Sequence, residues 1–130
     1  MTPTEWEETV VKECRDFGFI SFRITPAPDG GQPCDVVALG RDCSVMIECK
    51  VCKGPRFNLR RIEDNQILTL HKCLEKGVPF VLAVQFCSNE EYPFIGYIAG
   101  CDLADMLTDK VKSIIYTNDK IWTDLGSAMD

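Results

Sequence analysis

The sequence predicts an α/β domain in which a mixed central β-sheet is covered by helices, with elements in the order αβββαββα. Three observations carry this expectation. The 130 residues are 45% hydrophobic and 26% charged, enough for one real core and too few for two, so residues 1–130 are expected to form a single domain. Two stretches with apolar residues at helical spacing are separated by short apolar runs of strand length. Several of those runs are apolar on both faces, the pattern of strands buried between layers.

The first helix is expected in "TEWEETVVKECRDFGF", where Trp6, Val10, Cys14 and Phe17 fall on one stripe and Gly18 supplies a stop. Thr4 and Glu7 have capping-box spacing near its start. "FISFRIT" (19–25) alternates like a strand and leads into the turn-rich "PAPDGGQP". "CDVVAL" and "SVMIECKV" follow as central strands joined around Gly40, Arg41 and Asp42. "IEDNQILTLHKCLEKG" reads as a second helix, with Ile62, Ile67, Leu70, Cys73 and Leu74 inward and Gly77 at its end. "PFVLAVQF" and "YPFIGYIAG" are strands, "DLADMLTDK" a short helix capped by Asp102, and "KSIIY" one more candidate strand.

No apolar run approaches the ~20 residues that span a bilayer, and "MTPTEWEETVV" lacks the basic-then-apolar pattern of a secretory signal. An intracellular protein with no membrane association is expected. The eight cysteines are spread through apolar patterns, which reads as reduced thiols packed as small hydrophobes rather than a disulfide scaffold. The net charge of -6 argues mildly against a nucleic-acid partner, but its distribution is uneven. Residues 49–61 carry Lys50, Lys53, Arg56, Arg60 and Arg61 and no acid, inside an otherwise acidic chain. From charge alone, a solvated loop explains that segment.

Two chemical signals compete in "PCDVVALGRDCSVMIECKVCKG". If the two central strands form a hairpin with a four-residue loop, Leu39 faces Ser44, Val37 faces Met46 and Asp35 faces Glu48. Opposed side chains in an antiparallel pair stand ~5 Å apart at Cβ, so two carboxylates would repel unless a cation sat between them. Oxygen-only ligands with open positions suit Mg²⁺, with Mn²⁺ as a substitute. Lys50 projects from the same face as Glu48, where an ammonium can orient or deprotonate a water and stabilise charge on a phosphate. Acid, acid and lysine on one face make a site for metal-assisted hydrolysis. The competing signal, Cys49 and Cys52, fails on geometry: on a strand the two point to opposite faces, and no second pair exists to complete a zinc site. No small-molecule cofactor is expected.

Asp35 preceded by Pro33, then Glu48-Cys49-Lys50, resembles the PD-(D/E)xK nuclease signature. "GFISFRI", the hairpin stretch and "GVPFVLAVQF" are similar in order and spacing to archaeal Holliday junction resolvases, while "KGPRFNLRRIEDNQI" is similar to the equivalent segment of bacterial RecU-type resolvases. The resemblance covers roughly residues 5 to 99, and "KSIIY" is weakly similar to a late RecU-type segment. It implies a restriction-endonuclease-like fold, a homodimer, and Mg²⁺-dependent cutting of branched DNA. It further implies Asp35 and Glu48 as metal ligands, Lys50 as the catalytic lysine, Glu7 (with Glu8 as runner-up) as a helical glutamate of the site, and Gln66 as a glutamine close to the metal. Lys53, Arg56, Arg60 and Arg61 would contact DNA phosphates, and Thr25 would supply a hydroxyl before the active-site loop. Phe57 is either a wedge at the junction or, more simply, a buried anchor. His71, the one histidine, is structural. The acidic total and the lack of a long basic N-terminal arm depart from the resolvase pattern, and a phage or prophage source suits so short a version. Within the same fold, a nuclease acting on flaps, single strands or duplex, or a binding module without catalysis, remains the alternative.

Overall fold

The computed structural model describes residues 2–25, 28 and 31–129; four residues of the turn-rich 26–33 stretch lie outside them. Helix α1 (Pro3–Asp16) is followed by strands β1 (Ile20–Arg23), β2 (Val36–Leu39) and β3 (Ser44–Val51). A short strand β4 (Arg56–Asn58) and a 3-10 turn (Leu59–Arg61) lead to α2 (Asp64–Lys76), β5 (Phe80–Phe86), β6 (Phe94–Ala99) and α3 (Gly100–Thr108). The chain closes with β7 (Ser113–Ile115), β8 (Ile121–Trp122) and α4 (Leu125–Met129). Six strands form one sheet in the order β1-β2-β3-β5-β6-β8, antiparallel throughout except for the parallel pair β3–β5, and β4 and β7 form a second, two-stranded sheet.

The sheet separates two apolar layers. Trp6, Val10 and Cys14 of α1 and Leu125 of α4 pack on Val36, Ile47, Val81 and Ala83. On the other face Leu70 and Cys73 of α2, Leu103 of α3, Phe57 and Ile114 pack on Leu82, Val84 and Phe86. Every residue of β5 is buried because alternate side chains feed the two layers. The doubly apolar pattern of "PFVLAVQF" reports that position.

Several local expectations are corrected. Helix α1 is capped by Thr2, whose side chain accepts from the Glu5 N–H, not by Thr4 with Glu7. Pro3, which has no N–H to satisfy, fits the first helical position, and Glu7 is released from any capping duty. Phe17 is the exposed C-cap rather than part of the inward stripe, whose fourth member is Val11. Helix α3 starts two residues before Asp102, which lies in its first turn and does not cap it. A Cβ on Gly100 would stand 2.8 Å from the Phe80 carbonyl oxygen, so that junction requires glycine for close approach. Leu74 is 40% exposed at the rim of α2. Gly77 ends α2 in the left-handed conformation as expected. The basic segment is not a free loop: β4 and the 3-10 turn are built from it, pinned by pairing with β7.

Candidate active site

The hairpin has the register derived from its four-residue loop: Leu39 opposes Ser44 and Val37 opposes Met46. The ladder ends one step early, however. Its last pair is Val36 with Ile47, and the Asp35 N–H donates to the Ile47 carbonyl at 3.1 Å instead of continuing toward Glu48. The Asp35 carboxylate crosses to the neighbouring strand and accepts from the Cys49 N–H at 2.9 Å. It therefore has a fixed position before any ligand arrives.

Glu48 lies on the central strand β3 and is only 2% exposed. Its Oε1 accepts from Gln66 Nε2 at 2.7 Å and stands 3.8 Å from Lys50 Nζ. Its Oε2 is buried with no hydrogen-bond donor among the described residues. Burial, and then the Asp35 carboxylate beside it, hold the Glu48 carboxyl well above the usual range, an effect that Lys50 only partly offsets. A buried, unpartnered carboxylate oxygen next to a second carboxylate costs free energy in the empty site, and a hard cation removes that cost. No three His, Cys, Asp or Glu side chains converge on a metal position among the described residues. The donor set is thus two carboxylates with open positions, which fits Mg²⁺ because Mg²⁺ retains several of its waters.

Glu7 and Gln66 arrive from the two helical layers. Asp35, Glu48, Lys50, Glu7 and Gln66 line one cavity of about 320 Å³, together with Arg61, Glu63, Asn65 and Gln32. The Glu7 side chain is 16% exposed and accepts from Arg23 Nε at 3.2 Å, while that of Glu8 is 64% exposed, and of the two only Glu7 lines the cavity. Burial and the Asp35 charge raise the Glu7 carboxyl, with Arg23 opposing them. Gln66 works at both ends: its Oε1 accepts from the Glu63 N–H at 2.8 Å, which fixes the start of α2, and its amide nitrogen holds Glu48. Gln66→Ala is expected to weaken Mg²⁺ binding and any cleavage by ~10–100-fold, as loss of an orienting partner does elsewhere. Titration calorimetry on the variant reads this directly.

Of the four expected phosphate contacts, only Arg61 reaches the cavity. Its guanidinium lies 5.3 Å over the Phe57 ring and donates to the Val51 carbonyl at 2.7 Å. Phe57 itself is fully buried, an anchor and not a wedge. Arg56 reaches Ser113 Oγ at 3.3 Å, and Lys53 and Arg60 are exposed elsewhere. Thr25 does not line the cavity, and His71 is exposed on α2. Asn65 and Gln32 were not anticipated: Asn65 Nδ2 donates to the Gln32 carbonyl at 3.1 Å and ties the loop before β2 to α2. The polar run "EDNQ" at the start of α2 was the available signal. Cys49 packs in the α1 layer and Cys52 in the α2 layer, on opposite sides of the sheet, and burial pushes both thiols up.

No family model and no curated relative matches this chain. Among solved structures it is similar to Archaeoglobus fulgidus Hjc, a Holliday junction resolvase from an archaeal hyperthermophile, with a TM-score of 0.57 and 19% sequence identity over 76% of this chain and 73% of that one. The fold is restriction-endonuclease-like. In this fold the acids and lysine of the hairpin, the α1 glutamate and the α2 glutamine face one cavity beside the central strand. No helix among the described residues is long and apolar enough to cross a membrane.

Proposed function

We propose that this chain is a Mg²⁺-dependent, structure-selective DNA endonuclease that resolves four-way junctions by paired phosphodiester hydrolysis. The observation that carries the reading is the buried Glu48, with its unpartnered carboxylate oxygen, beside the half-buried Asp35 and with Lys50 at 3.8 Å. Asp35 and Glu48 would hold the cation. When bound, it supplies a lowered water pKa and neutralises charge on the scissile phosphate. Lys50 is positioned to orient the attacking water and to stabilise charge developing on the phosphate oxygens. Gln66 holds the Glu48 carboxylate in place, Glu7 adds a further carboxylate for the water shell, and Arg61 gives the cavity mouth a cation for a flanking phosphate. The proposed resolvase function also rests on likeness of fold to a protein described as a Holliday junction resolvase.

Paired nicks require two sites related by a two-fold axis, hence two copies of the chain. Ile20, Phe22 and Leu39 are exposed on one face of the outer strands β1 and β2, an apolar area suited to such a contact.

Because the Glu48 carboxyl is raised, Mg²⁺ uptake must displace a proton. The expected result is an apparent affinity that increases with pH, with proton release visible as a dependence of calorimetric heat on buffer ionisation enthalpy. Heat independent of buffer would contradict the raised carboxyl.

The direct test is cleavage of a labelled four-way junction by the purified chain with Mg²⁺, beside linear duplex, flap and single-stranded DNA, with Asp35→Asn as control. Symmetric nicks confined to the junction and lost in the control support resolution. Cutting of the other substrates keeps the nuclease and removes junction selectivity. Inactivity on all of them in Mg²⁺ and Mn²⁺ leaves a binding module.

A further inference from the structure

A second cavity, of about 420 Å³, opens on the other side of the 3-10 turn from the active site. Its lining is Leu59, Ile62, Ile67, Leu107 and Val111, with the three cations Arg60, Lys110 and Lys112 and no acid. That composition is unexpected in a chain of net charge -6. Two of its cations come from the acidic C-terminal stretch, in which residues 90–130 hold only three bases, Lys110, Lys112 and Lys120.

Backbone pairing brings them there. Strand β7 pairs with β4, and the Leu59 N–H continues that ladder to the Lys112 carbonyl at 2.9 Å. The preceding turn is fixed by Lys110 N–H to Leu107 O at 3.2 Å and Val111 N–H to Met106 O at 2.9 Å. Lys110 holds φ 58, a conformation that glycine or asparagine adopts more readily, so a lysine there keeps its charge against a backbone preference. Arg60 and Arg61 are consecutive: one side chain lines this groove and the other lines the active site.

We infer that the groove binds the stretch of DNA strand left unpaired at the branch point, with phosphates on Arg60, Lys110 and Lys112 and a sugar or splayed base on the apolar floor. This inference rests on the nuclease reading of the neighbouring site and extends it by a substrate feature. The cations select a polyanion. The apolar floor selects against intact duplex, whose outer surface is phosphate and sugar and would leave that floor wet. A strand held there passes over the 3-10 turn between the two arginines, so the groove sets which phosphate reaches Asp35 and Glu48.

The test measures binding of labelled tailed duplex and plain duplex to the intact chain without divalent cation, across salt concentrations. For tailed DNA, Lys110→Glu/Lys112→Glu is expected to make the log K against log salt slope shallower by about 1.4, the loss of two single-strand phosphate contacts at about 0.7 each. Plain duplex should change little. Lys120→Glu makes a matched charge change in the same stretch at an exposed residue outside the groove, and is the control against Lys112→Glu. Should the double reversal disturb folding, Lys110→Gln/Lys112→Gln reads the same slope. An unchanged slope, or equal losses from Lys112→Glu and Lys120→Glu, overturns the groove assignment while wild-type cleavage still stands. Failure of the wild type to bind any DNA overturns the nuclease reading first, and the groove assignment with it.

Discussion

Glu48→Gln is expected to abolish cleavage and, at the same time, to stabilise the metal-free protein. The substitution keeps the shape and the acceptor for Gln66 Nε2, but removes a carboxyl that the metal-free fold must hold protonated beside Asp35 and gives the unpartnered Oε2 position a donor facing that carboxylate. Removing a group that must take up a proton on folding is stabilising at neutral pH, here by about 1 kcal/mol, or a rise of about 4 °C in melting temperature for a chain of this size. The sign with pH follows from the raised carboxyl. A group that binds its proton more tightly when folded lowers stability as pH rises from its unfolded value near 4.5 to its higher folded value. Wild-type stability without metal should therefore decline across that window, and Glu48→Gln should flatten the decline. Activity should fall ~10³-fold or more, since in the proposed mechanism Glu48 would hold the cation that stabilises the transition state. Loss of activity together with loss of stability would place Glu48 in a structural role instead.

Lys50→Met is expected to separate chemistry from metal binding. The Lys50 ammonium stands 3.8 Å from Glu48 Oε1 and its side chain is 13% exposed, so methionine fills the same path without the charge. Cleavage should fall ~10²–10³-fold, the range seen when one preorganised group is removed from a developing charge. Mg²⁺ affinity should hold or increase, because a competing cation has left the carboxylates. Lys50→Arg should not restore the rate: a guanidinium is bulkier, delocalised and cannot give up a proton. Single-turnover cleavage beside calorimetric Mg²⁺ titration checks both halves. A binding module would show no Lys50-dependent chemistry, and a structural lysine would lose metal affinity along with rate.

Much of the central site was legible because short-range geometry encodes it. The loop Gly40-Arg41-Asp42-Cys43 fixes the hairpin register, and period-2 alternation puts Glu48 and Lys50 on one face. The opposite-face placement of Cys49 and Cys52 follows from the same period. The early end of the ladder was not legible. Whether Asp35 continues pairing or turns its carboxylate to the Cys49 N–H depends on the chain that enters from the preceding loop. The N-cap of α1 was misread because two threonines, Thr2 and Thr4, each stand three residues before a glutamate, and Pro3 selects the first. Strand β8 has two residues and α4 five, too short for any periodic signal.

The sequence by itself determined the α/β layering, the two carboxylates with their lysine on one face and the placement of Cys49 and Cys52 on opposite faces, since each depends on residue types at spacings set by strand and helix periods. Side chains outside the hairpin were named only through the family resemblance, and tertiary structure shows how they come to face the same cavity. Glu7 and Gln66 come from helices in different layers and face the cavity beside Glu48 where the β2–β3 ladder has ended at Val36, and Glu7 rather than Glu8 lines that cavity. Likewise, nothing local in residues 110–112 indicates a partner at Arg60. Pairing of β4 with β7 across half the chain brings them together, and such contacts are selected by the packing of Phe57 and Ile114 into a common core, not by any repeating pattern along the chain.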